Sequence, residues 1–342
     1  MQSSRLSVSE QINARWQRIW KEENRPAGSW ERQNVTVMAN SGSTTPQSGR
    51  AALLMLAAML IIGLIDNYIV VIAESVSLWQ FHATRSAINM SLLAVIAAFG
   101  GAAIWPRRWE AVLVRSWLFT GSMLIYFGCL AFLPISQVVA GLFTSPIIVM
   151  VLSATVFGEP VGPVRWLAAM VGFAGILLVI GIGQEAVSMV SVLPLVAAML
   201  YALSAISTRR YCAGETVASL MFWFFAAIGL SSLVMLAGLT IWPQAVPEGQ
   251  AGFLVRGLAM PSAAAWVWIL AQAVGSIIAV GAITRAYQIG EASYVAVFEY
   301  SLMVFAPLWA WVLWREDVPL STMLGVALIM LAGLVIALRS KH

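Results

Sequence analysis

The stretch "QVVAGLFTSPIIVMVLSATVFGEPVGPVRWLAAMVGFAG", residues 137–175, decides how the chain is read. It holds an almost uncharged apolar run from Gln137 to Phe157, an acid at Glu159, a few turn residues, and a second apolar run carrying Ala168 and Gly175. The same order returns at "ASYVAVFEYSLMVFAPLWAWVLWRED", residues 292–317. There the run Ala292 to Trp314 ends at Glu316, 157 positions after Glu159, and the following run carries Gly325 and Gly333. At the same offset Ser136 matches Ser293, and Cys129 matches Ala286. Two copies of one helical unit in a membrane chain is the pattern of secondary transporters, whose sites lie between the copies.

Composition fixes the membrane part of that reading. The chain is 61% hydrophobic and 10% charged, with a mean hydropathy of +0.87, far from soluble globular usage. A closed barrel would need polar alternation that these runs lack, so the chain reads as all-α and polytopic. Ten spans are expected near 51–72, 79–100, 116–134, 137–157, 164–183, 189–207, 217–241, 263–284, 292–314 and 320–338. They group as a first five-helix repeat over 51–183 and a second over 189–339. An odd number of spans per copy makes the copies inverted.

Basic residues set the orientation. With the N-terminus inside, the short inner segments hold Arg107, Arg108, Arg115, Arg165, Arg209, Arg210, Arg285, Arg339 and Lys341. The outer ones hold only Arg256 and Arg315, so both termini are expected in the cytoplasm. The net charge of +4 is then a topology signal, and no nucleic-acid partner is expected.

Residues 1–50 form a polar cytoplasmic tail with seven of the 19 basic residues. Val8, Ile12, Trp16, Ile19 and Trp20 recur at helical spacing among Arg15, Arg18 and Lys21, the pattern of a helix lying on an anionic leaflet. A disordered tail, or a true start at Met38, explains the same residues. The first long apolar run begins near Ala51 without a cleavage-like end, so it reads as a span and not a secretory signal.

Little here suits an enzyme. Cys129 and Cys212 lie apart in a reducing setting. His82 and His342 are the only histidines, and metal clusters, phosphate loops and nucleophile–base motifs are missing from the pattern. No cofactor or metal is expected. Of fifteen tryptophans, about half fall at span ends, where indole prefers the headgroup level. Trp223, Trp266, Trp268, Trp309 and Trp311 lie deeper, facing lipid or a flat substrate. Pro134, Pro146, Pro194 and Pro307 mark kinks or local hinges, and Gly172, Gly175 and Gly281 mark close helix approach.

Ionisable groups inside spans are expensive and point to function. Asp66 and Arg85 sit equally far from the first turn, hence at similar depth, with His82 one helical turn from Arg85. An Asp66–Arg85 ion pair is expected, either facing a cavity, where it recognises a zwitterion or gates the outer end, or acting as a buried clamp. Glu299 lies about seven residues inside the ninth span, followed by Tyr300 and Ser301. The equivalent residues of the fourth span are Leu142, Phe143 and Thr144. An acid in one copy only is what a substrate or proton site would show, and a hydrogen-bonded structural Glu is the alternative. Glu299 and Asp66 are the candidates for proton coupling. Arg285, Tyr287, Gln288 and Glu291 form a polar stretch near the inner end, with Arg285 and Glu291 expected at the headgroups. Glu159 and Glu316 are expected to cap the helices that follow them.

The segment Leu130–Gly175, with its small residue seven before Ser136, its acid at the helix turn and its spaced small residues, resembles the EamA unit of the drug/metabolite transporter superfamily. The segment "RAYQIGEASYVAVFEYSLMVFAPLWAWVLWRED", 285–317, resembles the same unit. The opening "IIGLIDNYIVV" departs from the Trp-Gly-Ser-like stretch of many members, and one extra residue separates Gly325 from Gly333. The resemblance implies ten helices in two inverted repeats around a cavity that opens alternately to each side. It also implies a cargo among amino acids, metabolites, nucleotide-related compounds, vitamins and drugs. The expected activity is export of an amino acid or related compound across a bacterial inner membrane by alternating access, with Asp66, Arg85, His82, Glu299 and Tyr300 lining or gating the path. Uptake of a flat heterocycle such as riboflavin or a nucleoside is the competing transport reading. A polytopic membrane enzyme or sensor is the competitor from another class. The partners expected are the small-molecule substrate and the bilayer.

Overall fold

A computed structural model describes residues 46–100, 103–129, 135–158, 161–180, 192–315 and 319–339. The tail pattern at 8–21, Met38, Pro134, Glu159, Glu316, Lys341 and His342 lie outside the described residues.

The described residues are mainly helical, with one long described loop over 242–262: α1 Pro46–Asp66, α2 Ile69–Ala73, α3 Leu78–Gly100, α4 Trp109–Cys129, α5 Ile135–Leu142, α6 Ser145–Thr155 and α7 Pro163–Ile180. They continue as α8 Leu193–Arg210, α9 Val217–Ile241, α10 Ala263–Ile289, α11 Ala292–Val297, α12 Leu302–Trp314 and α13 Leu320–Arg339. With α1/α2, α5/α6 and α11/α12 each read as one interrupted column, these are the ten expected spans. Among the described residues six stretches are long and apolar enough to cross a membrane: Gln47–Ala73, Leu78–Gly100, Trp109–Cys129, Val217–Ile241, Ala263–Ile289 and Ala292–Leu313. Shorter apolar helices lie at Ser145–Thr155, Pro163–Leu178 and Leu320–Ala332.

Local chemistry places the ends. Thr216 and Ser262 cap α9 and α10 by accepting the backbone N–H of Ser219 (3.0 Å) and Ala265 (3.1 Å), filling orphan donors of the first turn. Pro163 opens α7, and Pro146 and Pro194 sit in the first turns of α6 and α8, where a missing N–H costs nothing. The bundle is inside-out relative to a soluble protein. Arg85, Asn89, Arg115, Gln272 and Glu299 are buried, while Val267, Leu270, Val274 and Ile278 form an exposed stripe on α10. Lipid is the medium that suits such a surface.

Helix contacts follow an exchange rule. α1 packs on α10 as α8 packs on α4; α3 packs on α10 as α9 packs on α4; and α1 meets α12 as α8 meets α5 and α6. The pairs α3–α9, α7–α13 and α6–α11 also pack together. Small residues make the close approaches: a Cβ on Gly175 would lie 2.7 Å from the Gly325 carbonyl oxygen, and one on Gly172 would lie 2.5 Å from the Tyr300 ring.

The interruptions also recur. Thr144 Oγ1 donates to the Gly141 carbonyl at 2.6 Å, closing α5, and Ser301 Oγ donates to the Phe298 carbonyl at 2.7 Å inside the 3₁₀ turn Phe298–Ser301. These are the same bond 157 residues apart. A hydroxyl that bonds a nearby carbonyl competes with helical hydrogen bonding and bends the column. Pro146 and Pro307 do not match at that offset, so a proline is not the shared cause. The break after α1 is different: Asn67 Nδ2 donates to the Gly63 carbonyl (2.6 Å) and to that of Ala306 (3.4 Å), tying this break to α12.

Each end of the α3–α9 pair carries a loop clamp. At one, Glu215 accepts the backbone N–H groups of Arg107 (3.0 Å) and Arg108 (2.7 Å), Thr216 donates to the Ala103 carbonyl, and Gln288 donates to the carbonyls of Cys212 (3.1 Å) and Glu215 (2.8 Å). At the other, Arg256 donates to the carbonyls of Ala73 (2.9 Å) and Val76 (3.0 Å), and Gln80 exchanges two hydrogen bonds with Ala259. Cys212 is fully covered by the first clamp. Burial there pushes its thiol up to about 11, outweighing the opposing pull of Arg115. A raised thiol stays protonated below that value, so at pH 7 only about one molecule in ten thousand carries the reactive thiolate. In detergent-purified protein, maleimide labelling of Cys212 should therefore be slow and rise about tenfold per pH unit above neutrality. Glu215→Ala, which frees the covering loop, should accelerate labelling at pH 7 at least about tenfold.

A buried cavity between the helix columns

One cavity of about 140 Å³ lies among α1, α3, α4, α8, α9, α10 and the interrupted columns. Its axis is written on α10. Gln272, Ser276, Val280 and Ile283 line it, and Tyr287 continues their face at i, i+4, i+8, i+11 and i+15 spacing. Between its polar ends the wall is apolar and aromatic, with Met59, Phe119, Met123, Phe127 and Phe224 among the lining residues.

Glu299 marks one end. It is 5% exposed, and its Oε1 accepts from Tyr201 Oη at 2.8 Å and Tyr287 Oη at 2.5 Å. The tyrosines come from α8 and α10, so the acid is held from both sides. Leu142, its partner at offset 157, also lines the cavity. Two positions 157 residues apart thus both face the cavity, one charged and one apolar.

Asp66, Arg85 and Gln272 make the other polar end. Gln272 Nε2 donates to the Ile65 carbonyl (2.8 Å) and reaches an Asp66 carboxylate oxygen at 3.3 Å. The expected Asp66–Arg85 ion pair is not formed: among the described residues the only ion pair is Arg165–Glu291. Arg85 turns instead to His82, with Nη2 at 3.0 Å from Nδ1, and lies over the Phe81 ring, whose centroid is 4.8 Å away. The depth argument brings Asp66 and Arg85 into one cavity; rotamers set by His82 and Gln272 keep them apart.

Two of the expected lining residues stand behind the wall. His82 is fully buried between the rings of Phe81 and Phe127 and is not among the lining residues. Tyr300 packs against Gly172 and Phe143, its hydroxyl without a partner among the described residues. The deeper tryptophans line nothing here: Trp268 stacks on Tyr68, Trp309 donates to the Leu60 carbonyl (3.0 Å), and Trp266 and Trp311 are exposed. Of the polar stretch near α10's end, Glu291 pairs with Arg165, and Gln288 is buried in the clamp.

Sequence reasoning missed Tyr201, placed Tyr287 only in a polar stretch near the inner end and not beside Glu299, and misplaced Arg115. Arg115 was counted with the inner segments, yet it lies inside α4, 2% exposed. It donates to Thr208 Oγ1 (3.0 Å), the Leu220 carbonyl (3.1 Å) and Thr284 Oγ1 (3.1 Å), three groups on three helices. It lines a small void with Tyr201 and Tyr287, directly beyond the Glu299 end of the cavity. Taking it out of the inner-segment count leaves the charge asymmetry standing.

Residues 49–181 match the EamA-like transporter family. The chain is 25% identical to the pseudopaline exporter CntI of Pseudomonas aeruginosa over 258 residues, 75% of this chain and 85% of that one. It is 25% identical to a riboflavin transporter of Vibrio cholerae over 221 residues (64% of this chain, 68% of the other), and 28% identical to one of Brucella anthropi over 215 (61% and 70%). A solved crystal structure shares the fold at a TM-score of 0.72, covering 85% of this chain and 97% of its own, with 17% identity. Together with the helical fold, these matches show a polytopic helical membrane protein with an EamA-like transporter domain over residues 49–181, similar to transporters of the drug/metabolite transporter superfamily.

Proposed function

We propose that this protein is a secondary transporter of the bacterial inner membrane that exports an amino acid or a related amphoteric metabolite by alternating access. The observation that carries the reading is Glu299. It is a membrane-embedded acid facing a central cavity, held by Tyr201 and Tyr287, with Asp66 and Arg85 at the far end of the same aromatic-walled space. Burying an acid inside the membrane is expensive, which makes a transport role the default expectation for it. Glu299, with Asp66 as second candidate, carries the coupling proton. In this reading residues 51–183 and 189–339 are inverted copies, which the exchangeable helix contacts and the recurring hydroxyl–carbonyl bond support. The two loop clamps then close opposite ends of the path in alternation, with both termini cytoplasmic.

Uptake of a flat heterocycle is the second reading, favoured by the Phe119 and Phe224 walls and by the riboflavin transporters among the relatives. Deletion and overexpression strains separate the two when exposed to amino-acid analogues and a flavin antimetabolite. Export predicts that overexpression protects against an amino-acid analogue and deletion sensitises. Protection by deletion against the flavin analogue, with no effect of either strain on amino-acid analogues, selects the second reading.

A further inference from the structure

We propose that Arg85 is the carboxylate-binding group of the cavity, that His82 is its positioning residue, and that Asp66 takes an adjacent ammonium, so that the cargo carries an α-amino-acid head. This deepens the amphoteric-cargo reading and rests on it.

Arg85 is 92% buried and lines the cavity. One of its terminal nitrogens is engaged by His82, and its Nε has no partner among the described residues. No acidic residue forms an ion pair with it there. A buried guanidinium with an open donor edge lacks the planar anion that its fork geometry fits. An anionic cargo supplies that anion.

His82 is suited to aim this fork without satisfying it. A guanidinium N–H donates to Nδ1, so Nδ1 is the acceptor and the ring proton sits on Nε2, leaving a neutral imidazole. A carboxylate at the same place would neutralise Arg85 and remove its demand for a ligand anion. Phe81 and Phe127 fix the ring. Among the described residues Asp66 is bonded only through Gln272 at 3.3 Å, so most of its acceptor capacity is open there. Opposite charges on one cavity and out of mutual contact fit a head group that carries both. An isolated phosphate or sulfate would gain Arg85 but meet repulsion from Asp66, and a neutral flavin would satisfy neither.

The test uses the full-length protein in detergent, with L-phenylalanine, L-phenylalaninamide, 3-phenylpropionate and riboflavin as probes, read by thermal shift and equilibrium binding. Phenylalanine should bind about tenfold or more tighter than either half-molecule, the worth of one charged hydrogen-bonded contact. Arg85→Gln should erase the preference for phenylalanine over its amide. His82→Leu should weaken phenylalanine about tenfold and spare the amide, and His82→Asn, which restores an acceptor near Nδ1, should recover most of the loss. Equal binding of the acid and the amide by the native protein, or a preference that survives Arg85→Gln, overturns the proposal. If phenylalanine moves across proteoliposomes regardless of Arg85, only this inference falls. If riboflavin alone binds and moves, the amino-acid reading falls with it.

Discussion

Glu299→Gln abolishes gradient-driven transport and leaves the protein folded. Both tyrosine hydroxyls donate to Oε1 of Glu299, an oxygen that glutamine retains. Packing and the two hydrogen bonds therefore survive, and stability should stay within about 1 kcal/mol of the native protein. What is lost is the capacity to bind and release a proton. Net accumulation in proteoliposomes should fall by at least about 100-fold, equivalent to about 2.7 kcal/mol in the coupled step. Substrate counterflow, which needs no net proton movement, should persist. Tyr201→Phe and Tyr287→Phe should weaken coupling less, each removing one hydrogen bond worth about 1 kcal/mol. Counterflow lost together with accumulation would assign Glu299 to binding alone.

Gly175→Leu separates α7 from α13. The added Cβ would meet the Gly325 carbonyl oxygen at 2.7 Å, Ile329 at 2.9 Å and Leu328 at 3.2 Å. The first of these is backbone and cannot rotate away, so the helices must part. Overpacking costs about 1–3 kcal/mol where a core can adapt, and here little can move. In the membrane, close approach of small residues is itself what holds such a pair together. The melting temperature should fall by several degrees, at about 2–4 °C per kcal/mol for a chain of this size. Gly162→Leu is the control, since a Cβ there meets nothing. Equal melting temperatures for the two variants would refute the packing argument.

Ten helical columns were legible because each needs only a long apolar run, and α10 shows this even though it extends five residues past its expected end. That extension hid Tyr287, which reads as a surface residue if the span stops at 284. Tyr201 looked like any aromatic in lipid; its partner, Glu299, is 98 positions away. Arg115 was misplaced because span starts are blurred where "RRWEAVLVRSW" mixes charge with apolar residues, and its three partners lie on other helices. Glu299 was legible for the opposite reason. An acid in an uncharged run announces itself without knowledge of its neighbours. The Asp66–Arg85 contact needed rotamers, which no spacing supplies.

The most direct test of the whole account is flux of an amino acid into proteoliposomes under an imposed pH gradient, native protein against Glu299→Gln. The account predicts accumulation above protein-free vesicles that collapses with the gradient and is missing in the variant. Accumulation at the same rate in both proteins, or no amino-acid flux above protein-free vesicles while riboflavin crosses, would contradict it.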